Sequence, residues 1–210
     1  NYTWLWHYPL PARYVARNPH LAVRDNRSLL AQYEDGGRVF PVSRALPRPN
    51  VVGAENRVTS ACSAQPYRDD LFGPDFATSV FISEPSENLI HREVLEVYGG
   101  TFQSHRASGE HTAEFLASTD NWFRPTQLKT GPDGALYVAD MYRQTIEHPE
   151  WIPQDMQARI DVRAGQDRGR IYRVVPDGAS LRPIPRLEGL DSQGLVAALD
   201  SPNGWQRDTA

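Results

Sequence analysis

The stretch Gly131-Pro132-Asp133-Gly134-Ala135-Leu136-Tyr137-Val138-Ala139-Asp140 decides how the rest of the chain is read. A Gly-Pro-Asp turn precedes a run of β-branched, aromatic and aliphatic residues, and the run ends on a carboxylate. Turn residues bounding such a run are the signature of a strand. The order recurs upstream in Gly73-Pro74-Asp75-Phe76-Ala77-Thr78-Ser79-Val80-Phe81-Ile82-Ser83-Glu84. A histidine follows each copy, in Asn88-Leu89-Ile90-His91 and in Thr145-Ile146-Glu147-His148. The copies lie roughly 57 residues apart, within the range of propeller-blade repeats. Gly37-Arg38-Val39-Phe40-Pro41-Val42 and Gly169-Arg170-Ile171-Tyr172-Arg173-Val174 form a second matched pair, alternating apolar and polar residues as half-buried strands do. Short strands in repeated units predict an all-β fold. They predict two to three blades of a β-propeller over residues 1–182, each blade a four-stranded antiparallel meander that needs neighbours on both sides.

Composition agrees with a turn-rich globular chain. The 210 residues include 15 glycines and 17 prolines, 40% are hydrophobic and 23% charged. The net charge of −4 gives no reason to expect nucleic acid as a partner. No run approaches the roughly 18–20 apolar residues of a transmembrane helix. Cys62 is the only cysteine, so an internal disulfide, a cysteine-rich zinc site and a Cys-x-x-Cys-His haem site are excluded on this chain. Lys129 is the only lysine, so covalent lysine chemistry has one candidate. Nicotinamide, nucleotide, hydrolase and zinc-protease motifs do not occur.

Past Pro183-Ile184-Pro185 the pattern changes. Leu187, Leu190, Leu195, Val196 and Leu199 recur at helical spacing behind a candidate N-cap at Asp191-Ser192, and Trp205-Gln206-Arg207-Asp208 opens another helix. Residues 183–210 are therefore expected to be a linker and the start of an α-helical repeat domain. The sequence enters a strand-like run at Asn1–Tyr8 and stops inside a helical pattern, as a portion of a longer polypeptide would.

Meander topology also places a site. If Arg124–Thr130 is an inner strand, Ser118–Phe123 is its entry loop. If Ala135–Asp140 is the next strand, the long connection from Met141 to about Arg168 opens on the same face. Long connections in compact folds tend to carry function. Asp120, Trp122, Arg124, Asp140, Tyr142, Arg143, Glu147 and His148 are expected to gather there. Structural roles compete with functional ones. Asp140 and Glu84 suit turn capping, Trp122 and Phe123 suit packing, Arg124 suits a buried ion pair, and His91-Arg92 suits the outer side of a strand. His20 falls in an Arg17-Asn18-Pro19-His20 turn, and Cys62 reads as a small buried residue.

Several of these segments also carry a resemblance. Ser118-Thr119-Asp120-Asn121-Trp122-Phe123-Arg124-Pro125, the run from Gly131 to Arg143, and Ile146-Glu147-His148-Pro149 resemble the membrane-bound dehydrogenases of planctomycete-type bacteria. So do Thr59-Ser60-Ala61-Cys62, Tyr67-Arg68, Asn88-Leu89-Ile90-His91-Arg92, and Asp200-Ser201-Pro202-Asn203-Gly204-Trp205-Gln206-Arg207-Asp208-Thr209-Ala210. The resemblance implies a six-bladed propeller related to quinoprotein sugar and sorbosone dehydrogenases, followed by HEAT-type repeats. It implies an extracytoplasmic location, a sugar or alcohol substrate, and electron transfer to a haem domain that this chain lacks. Pyrroloquinoline quinone and calcium are the cofactors it implies.

In that reading His148, beside Glu147, is the general base, with Asp140 as its catalytic companion. Arg124 and Arg143 bind quinone carboxylates. Asp120 and Asp140 supply oxygens to calcium. Asp120, Trp122, Tyr142 and Glu147 complete the binding surface. Two other readings stand beside it: a noncatalytic scaffold that binds carbohydrate or protein, and a calcium-dependent lactonase. Charged side chains already paired would favour the scaffold. An arginine-lined slot would favour the dehydrogenase, and carboxylates converging on one ion the lactonase.

Overall fold

The computed structural model describes residues 4–20, 27–35, 37–44 and 56–210. Its strands are β1 (Trp6–His7), β2 (Ser28–Leu29), β3 (Cys62–Pro66), β4 (Ser79–Glu84), β5 (Leu89–Tyr98), β6 (Thr101–Arg106), β7 (Leu116–Ala117), β8 (Pro125–Thr130), β9 (Leu136–Asp140) and β10 (Arg170–Val174). The helices are α1 (Ala12–Arg17), α2 (Gln154–Gln157), α3 (Ser192–Ala198) and α4 (Gly204–Thr209), with 3-10 turns between.

Among the described residues all strand pairing is antiparallel and falls into three sheets. β1 pairs with β2; β3-β4-β5-β6 form a meander to which β7 adds beside the start of β5; β10-β9-β8 form the third sheet. The expected strand at Gly37–Val42 is not formed, and Arg38 makes only an isolated bridge to Arg57. Asn1–Thr3 of the expected opening strand lie outside the described residues.

The all-β propeller expectation is overturned. Among the described residues about 19% are helical and 27% are strand, and no barrel or propeller closes. The reason lies in what covers the meander. A propeller blade is flanked by a sheet on each side. Here one face of β3–β6 is covered by irregular chain: Trp4, Leu5, Leu30, Ala31, Val39 and Val58 pack on Val80, Ile82 and Leu89. The other face receives β8–β10, with Tyr67, Phe81 and Ile90 against Phe123, Leu128, Leu136 and Val138. β4 alternates its side chains between these two cores and is buried along its whole length. The helical repeat domain is not formed either. α3 and α4 are seven and six residues long.

The repeated Gly-Pro-Asp segments nevertheless build similar corners. Glu84 at the end of β4 accepts from the amides of Thr59 and Ser60, which lead into its partner β3 (3.2 and 2.9 Å). Asp140 at the end of β9 accepts from the amide of Arg124, which leads into its partner β8 (2.7 Å). Both pairings then shift register, between Cys62 and Gln65 and between Pro125 and Gln127. The sheets interlock there: the Leu128 amide donates to Ser63 Oγ at 2.8 Å.

The C-terminal segment is held against this core. As expected, Asp191 caps α3, accepting from the Gly194 amide at 2.8 Å. Asn203 is fully buried. Its Oδ1 caps α4 through the Gln206 amide (2.8 Å), and its Nδ2 donates to Asp69 Oδ2 (2.6 Å) and to the Gly131 carbonyl (2.8 Å). A Cβ on Gly204 would lie 2.6 Å from the Arg68 side chain, so glycine sets how closely α4 approaches. No described helix is long and apolar enough to cross a membrane.

Asn203→Ala removes the cap and leaves Asp69 short of a donor. It is expected to lower unfolding stability by about 2–3 kcal/mol, seen as a lower denaturant midpoint at unchanged slope. An unchanged midpoint would show that the C-terminal segment is only loosely attached.

Candidate functional site

Asp140 is the hub of the face expected from the sequence. Antiparallel register sets it opposite Pro125 on β8 and Arg170 on β10. Its side chain is fully buried. Oδ1 accepts from the amides of Arg124 (2.7 Å) and Tyr142 (2.9 Å), and Oδ2 accepts from Arg170 Nε (3.1 Å) and Nη2 (3.0 Å). Burial draws the Arg170 value down, but the hydrogen bond it donates to Asp140 outweighs that and holds the guanidinium above its ordinary range. Arg170 Nη2 also lies 3.7 Å from Asp120 Oδ2. Asp120 Oδ1 meanwhile accepts from the Trp122 amide at 2.9 Å.

Aromatic rings surround this ion cluster. The Arg170 guanidinium sits 3.9 Å over the Tyr142 ring and 5.2 Å from that of Tyr172. Trp122 and Tyr142 have centroids 5.6 Å apart. Tyr142 has φ +52°, a left-handed backbone that an aromatic residue rarely adopts. Its amide bond to Asp140 and the Trp122 carbonyl's bond from the Arg143 amide (3.1 Å) fix that turn.

The two expected quinone-binding arginines are engaged elsewhere. Arg124 is buried, and its guanidinium donates to backbone carbonyls: Nε to Arg143 (3.0 Å), Nη1 to Pro85 (2.8 Å) and Nη2 to Gln144 (2.9 Å). Arg143 donates to the carbonyls of Met141 (3.0 Å), Tyr142 (3.1 Å), Gly165 and Gln166 (3.2 Å). It thereby folds the long 141–169 connection back on itself. His148 is exposed, and Nδ1 accepts from the Glu150 amide at 3.3 Å, capping the 3-10 turn Pro149–Trp151. Glu147 is half-buried on the same connection. The structure therefore gathers Asp120, Trp122, Asp140 and Tyr142, uses Arg124 and Arg143 as braces, and gives His148 a capping role.

These residues do not fit the implied cofactors. A quinone carboxylate needs a guanidinium edge to bind, and those of Arg124 and Arg143 meet backbone carbonyls. Calcium needs free carboxylate oxygens, and both oxygens of Asp140 accept from N–H donors. Among the described residues no group of three or more His, Cys, Asp or Glu side chains is arranged to hold a metal. Cys62 is half-buried, and burial, with Glu84 nearby, pushes its thiol up to about 11, away from nucleophilic use.

Sequence reasoning missed Arg170 and Tyr172, whose relation to Asp140 depends on the β9–β10 register. It also misplaced His91. Far from the outer side of a strand, His91 is wholly buried on β5 and stacks on Trp4 with ring centroids 4.1 Å apart. Nδ1 meets Glu114 Oε2 at 2.7 Å and Nε2 meets Glu93 Oε1 at 2.6 Å. Tyr33 donates to the same Glu93 oxygen at 2.6 Å, and Arg106 to Glu114 at 3.2 Å. The spacing His91-x-Glu93, which puts both side chains on one face of a strand, was the available signal.

Only the imidazolium can donate from both nitrogens. Burial alone would lower the His91 value, but the bonds and charges of Glu114 and Glu93 outweigh it and raise it. Burial likewise pushes Glu93 up, and His91 and Tyr33 overcome that and hold it below its ordinary value. The linkage signs follow. The His91 contribution is complete below the unfolded value near 6.5 and is lost as pH rises through the raised folded value. The Glu93 contribution is present above about 4.5 and is lost as pH falls through the lowered one. Urea midpoints are expected to peak between these limits and to fall on the alkaline side. His91→Gln, which leaves two buried carboxylates without their cation, is expected to cost about 3–5 kcal/mol and to flatten the alkaline limb. A limb unchanged by the substitution would assign it to other groups.

Comparison with known proteins places the chain in a family. No curated protein and no solved structure matches it. A family model described as a domain of unknown function, DUF7133, matches residues 1–178, and the chain belongs to that family.

Proposed function

We propose that the Asp140 face is a noncatalytic carbohydrate-binding surface and that the chain serves as a binding module. The observation that carries this reading is the state of Asp140: four N–H donors already occupy its two oxygens. A carboxylate so engaged neither takes a proton from a substrate hydroxyl nor binds a metal. Arg170, Arg124 and Arg143 are committed to partners within the chain, so the charged groups here brace loops.

What the face offers to a ligand is aromatic. Trp122 and Tyr142 are half-buried and Tyr172 is 40% exposed. Flat rings beside polar groups suit the apolar face and hydroxyl rim of a sugar. The quinone-dependent dehydrogenase expected from the resemblance finds less support, because its base and its cations would have to come from groups with other partners.

Titration of the full chain with neutral oligosaccharides, followed by tryptophan fluorescence, tests the reading. Saturable binding is expected, weakened about tenfold or more by Trp122→Ala, a loss of about 1.4 kcal/mol. Arg124→Met is expected to lower thermal stability, since it leaves the carbonyls of Pro85 and Gln144 without a donor. Saturable binding of pyrroloquinoline quinone with calcium, abolished by Arg124→Met in protein that remains folded, would overturn the proposal in favour of the dehydrogenase.

A further inference from the structure

Away from the Asp140 face, α4 and the β8–β9 hairpin enclose a cleft of about 520 Å³. Small-ligand sites commonly measure roughly 300–1,000 Å³. Its sheet wall is set by register: Lys129 on β8 lies opposite Tyr137 on β9, so both side chains project from one face. The Tyr137 ring lies over Gly131, where a Cβ would sit 2.2 Å from the ring. The other wall is Trp205 of α4, 39% exposed. Arg68 and Asp208 complete the rim and pair with each other, Arg68 Nη2 donating to Asp208 Oδ1 at 2.9 Å.

The charges in this cleft are unequal. The Asp208 carboxylate is neutralised by Arg68, and that pairing lowers its value. Tyr137 donates to Asp133 Oδ2 at 3.0 Å, and Asp133 is itself paired with Arg173. Lys129 is exposed and, among the described residues, has no hydrogen-bond or ion-pair partner. One net positive charge therefore stands in the same lining as the rings of Tyr137 and Trp205.

The walls are also fixed in place. α4 is anchored by Asn203 and by Gln206 Nε2, which donates to the Pro132 carbonyl at 2.9 Å. A ligand would find a preformed slot, with little ordering cost on binding.

We infer that this cleft binds a small carboxylate borne on a six-membered ring, the ring against Tyr137 and Trp205 and the carboxylate on the Lys129 ammonium. A uronic acid and an aromatic acid share that chemistry, and the test separates them. The site is distinct from the Asp140 face and does not depend on the carbohydrate reading given to that face.

The sole lysine makes the test direct. Biosynthetic ¹³C-lysine labelling of the 210-residue chain gives a single side-chain ε-methylene signal, that of Lys129. Sodium glucuronate, sodium benzoate and neutral glucose are titrated separately. At least one carboxylate is expected to move the signal saturably, with glucose at least about tenfold weaker. Glucuronate moving it identifies the sugar acid as the source, and benzoate alone identifies the aromatic acid. By tryptophan fluorescence, Lys129→Gln, at an exposed position that leaves the fold intact, is expected to weaken the carboxylate about tenfold. Trp205→Phe is expected to remove the fluorescence response, while Trp122→Ala leaves it in place. No saturable shift with either carboxylate, equal shifts with glucose, or an unchanged affinity in Lys129→Gln would overturn the inference.

Discussion

Burial of β4 on both faces is the constraint from which the rest of the structure follows. Val80 and Ile82 face one core and Phe81 the other, so the strand must be roofed twice. β8–β10 supply one roof and the segments around Trp4, Leu30, Val39 and Val58 supply the other. A strand buried on both faces leaves no solvated side for its polar ends, and charged groups drawn into such a place need partners within the protein. That requirement explains where the charges of this chain reside. Glu84 ends β4 fully buried and is satisfied by amides of the chain that enters β3. Arg92 points to the β8 side, where it bonds Ser79 Oγ at 3.0 Å and covers the Phe76 ring at 3.8 Å.

The two roofs are held by different physics. On the β8 side the attachment is reciprocal and runs through an amide and a guanidinium, neither of which titrates at ordinary pH. Asn88 Nδ2, from the β4–β5 turn, donates to the carbonyls of Asn121 and Phe123, and Arg124 returns the exchange by donating to those of Pro85 and Ser86. Bonds of this kind change little across ordinary pH. On the N-terminal side the attachment runs through ionised groups. Tyr33 reaches Glu93, the Phe40 amide reaches Glu114 at 3.0 Å, Arg106 reaches the Arg38 carbonyl, and His91 sits between the two carboxylates. One molecule therefore has a pH-insensitive seam and a pH-sensitive one, on opposite faces of the same sheet.

Local structure was more legible in the sequence than architecture. The Gly-Pro-Asp turns, the strands after them, the carboxylates that end those strands and the Asp191 cap are decided by a few adjacent residues, and they appear in the structure. Whether a four-stranded meander is flanked by two sheets or by one sheet and irregular chain is decided by contacts between distant segments. Gly37–Val42 shows the difference: it alternates as a strand does, yet Val39 is used to fill a core and the segment joins no sheet. The candidate site divides in the same way. Asp120, Trp122, Asp140 and Tyr142 were found because two neighbouring loops must open together. Arg170 and Tyr172 needed the β9–β10 register, and the braced state of Arg124 and Arg143 needed the path of the 141–169 connection.

The distribution of unengaged groups carries the functional argument further than residue identity does. By type, Asp140, Arg124 and Arg143 look like a reactive constellation, and in place each is part of the scaffolding. Lys129 looks unremarkable by type, a single lysine on a strand, and in place it is a cation that, among the described residues, has no partner and shares a cleft with two aromatic rings. A group contributes to binding or chemistry through the hydrogen-bonding capacity that the fold leaves over. On the Asp140 face that remainder is aromatic surface, while in the cleft beneath α4 it is aromatic surface with a positive charge. Recognition of a ring therefore suits both places, and recognition of an anion suits only the second.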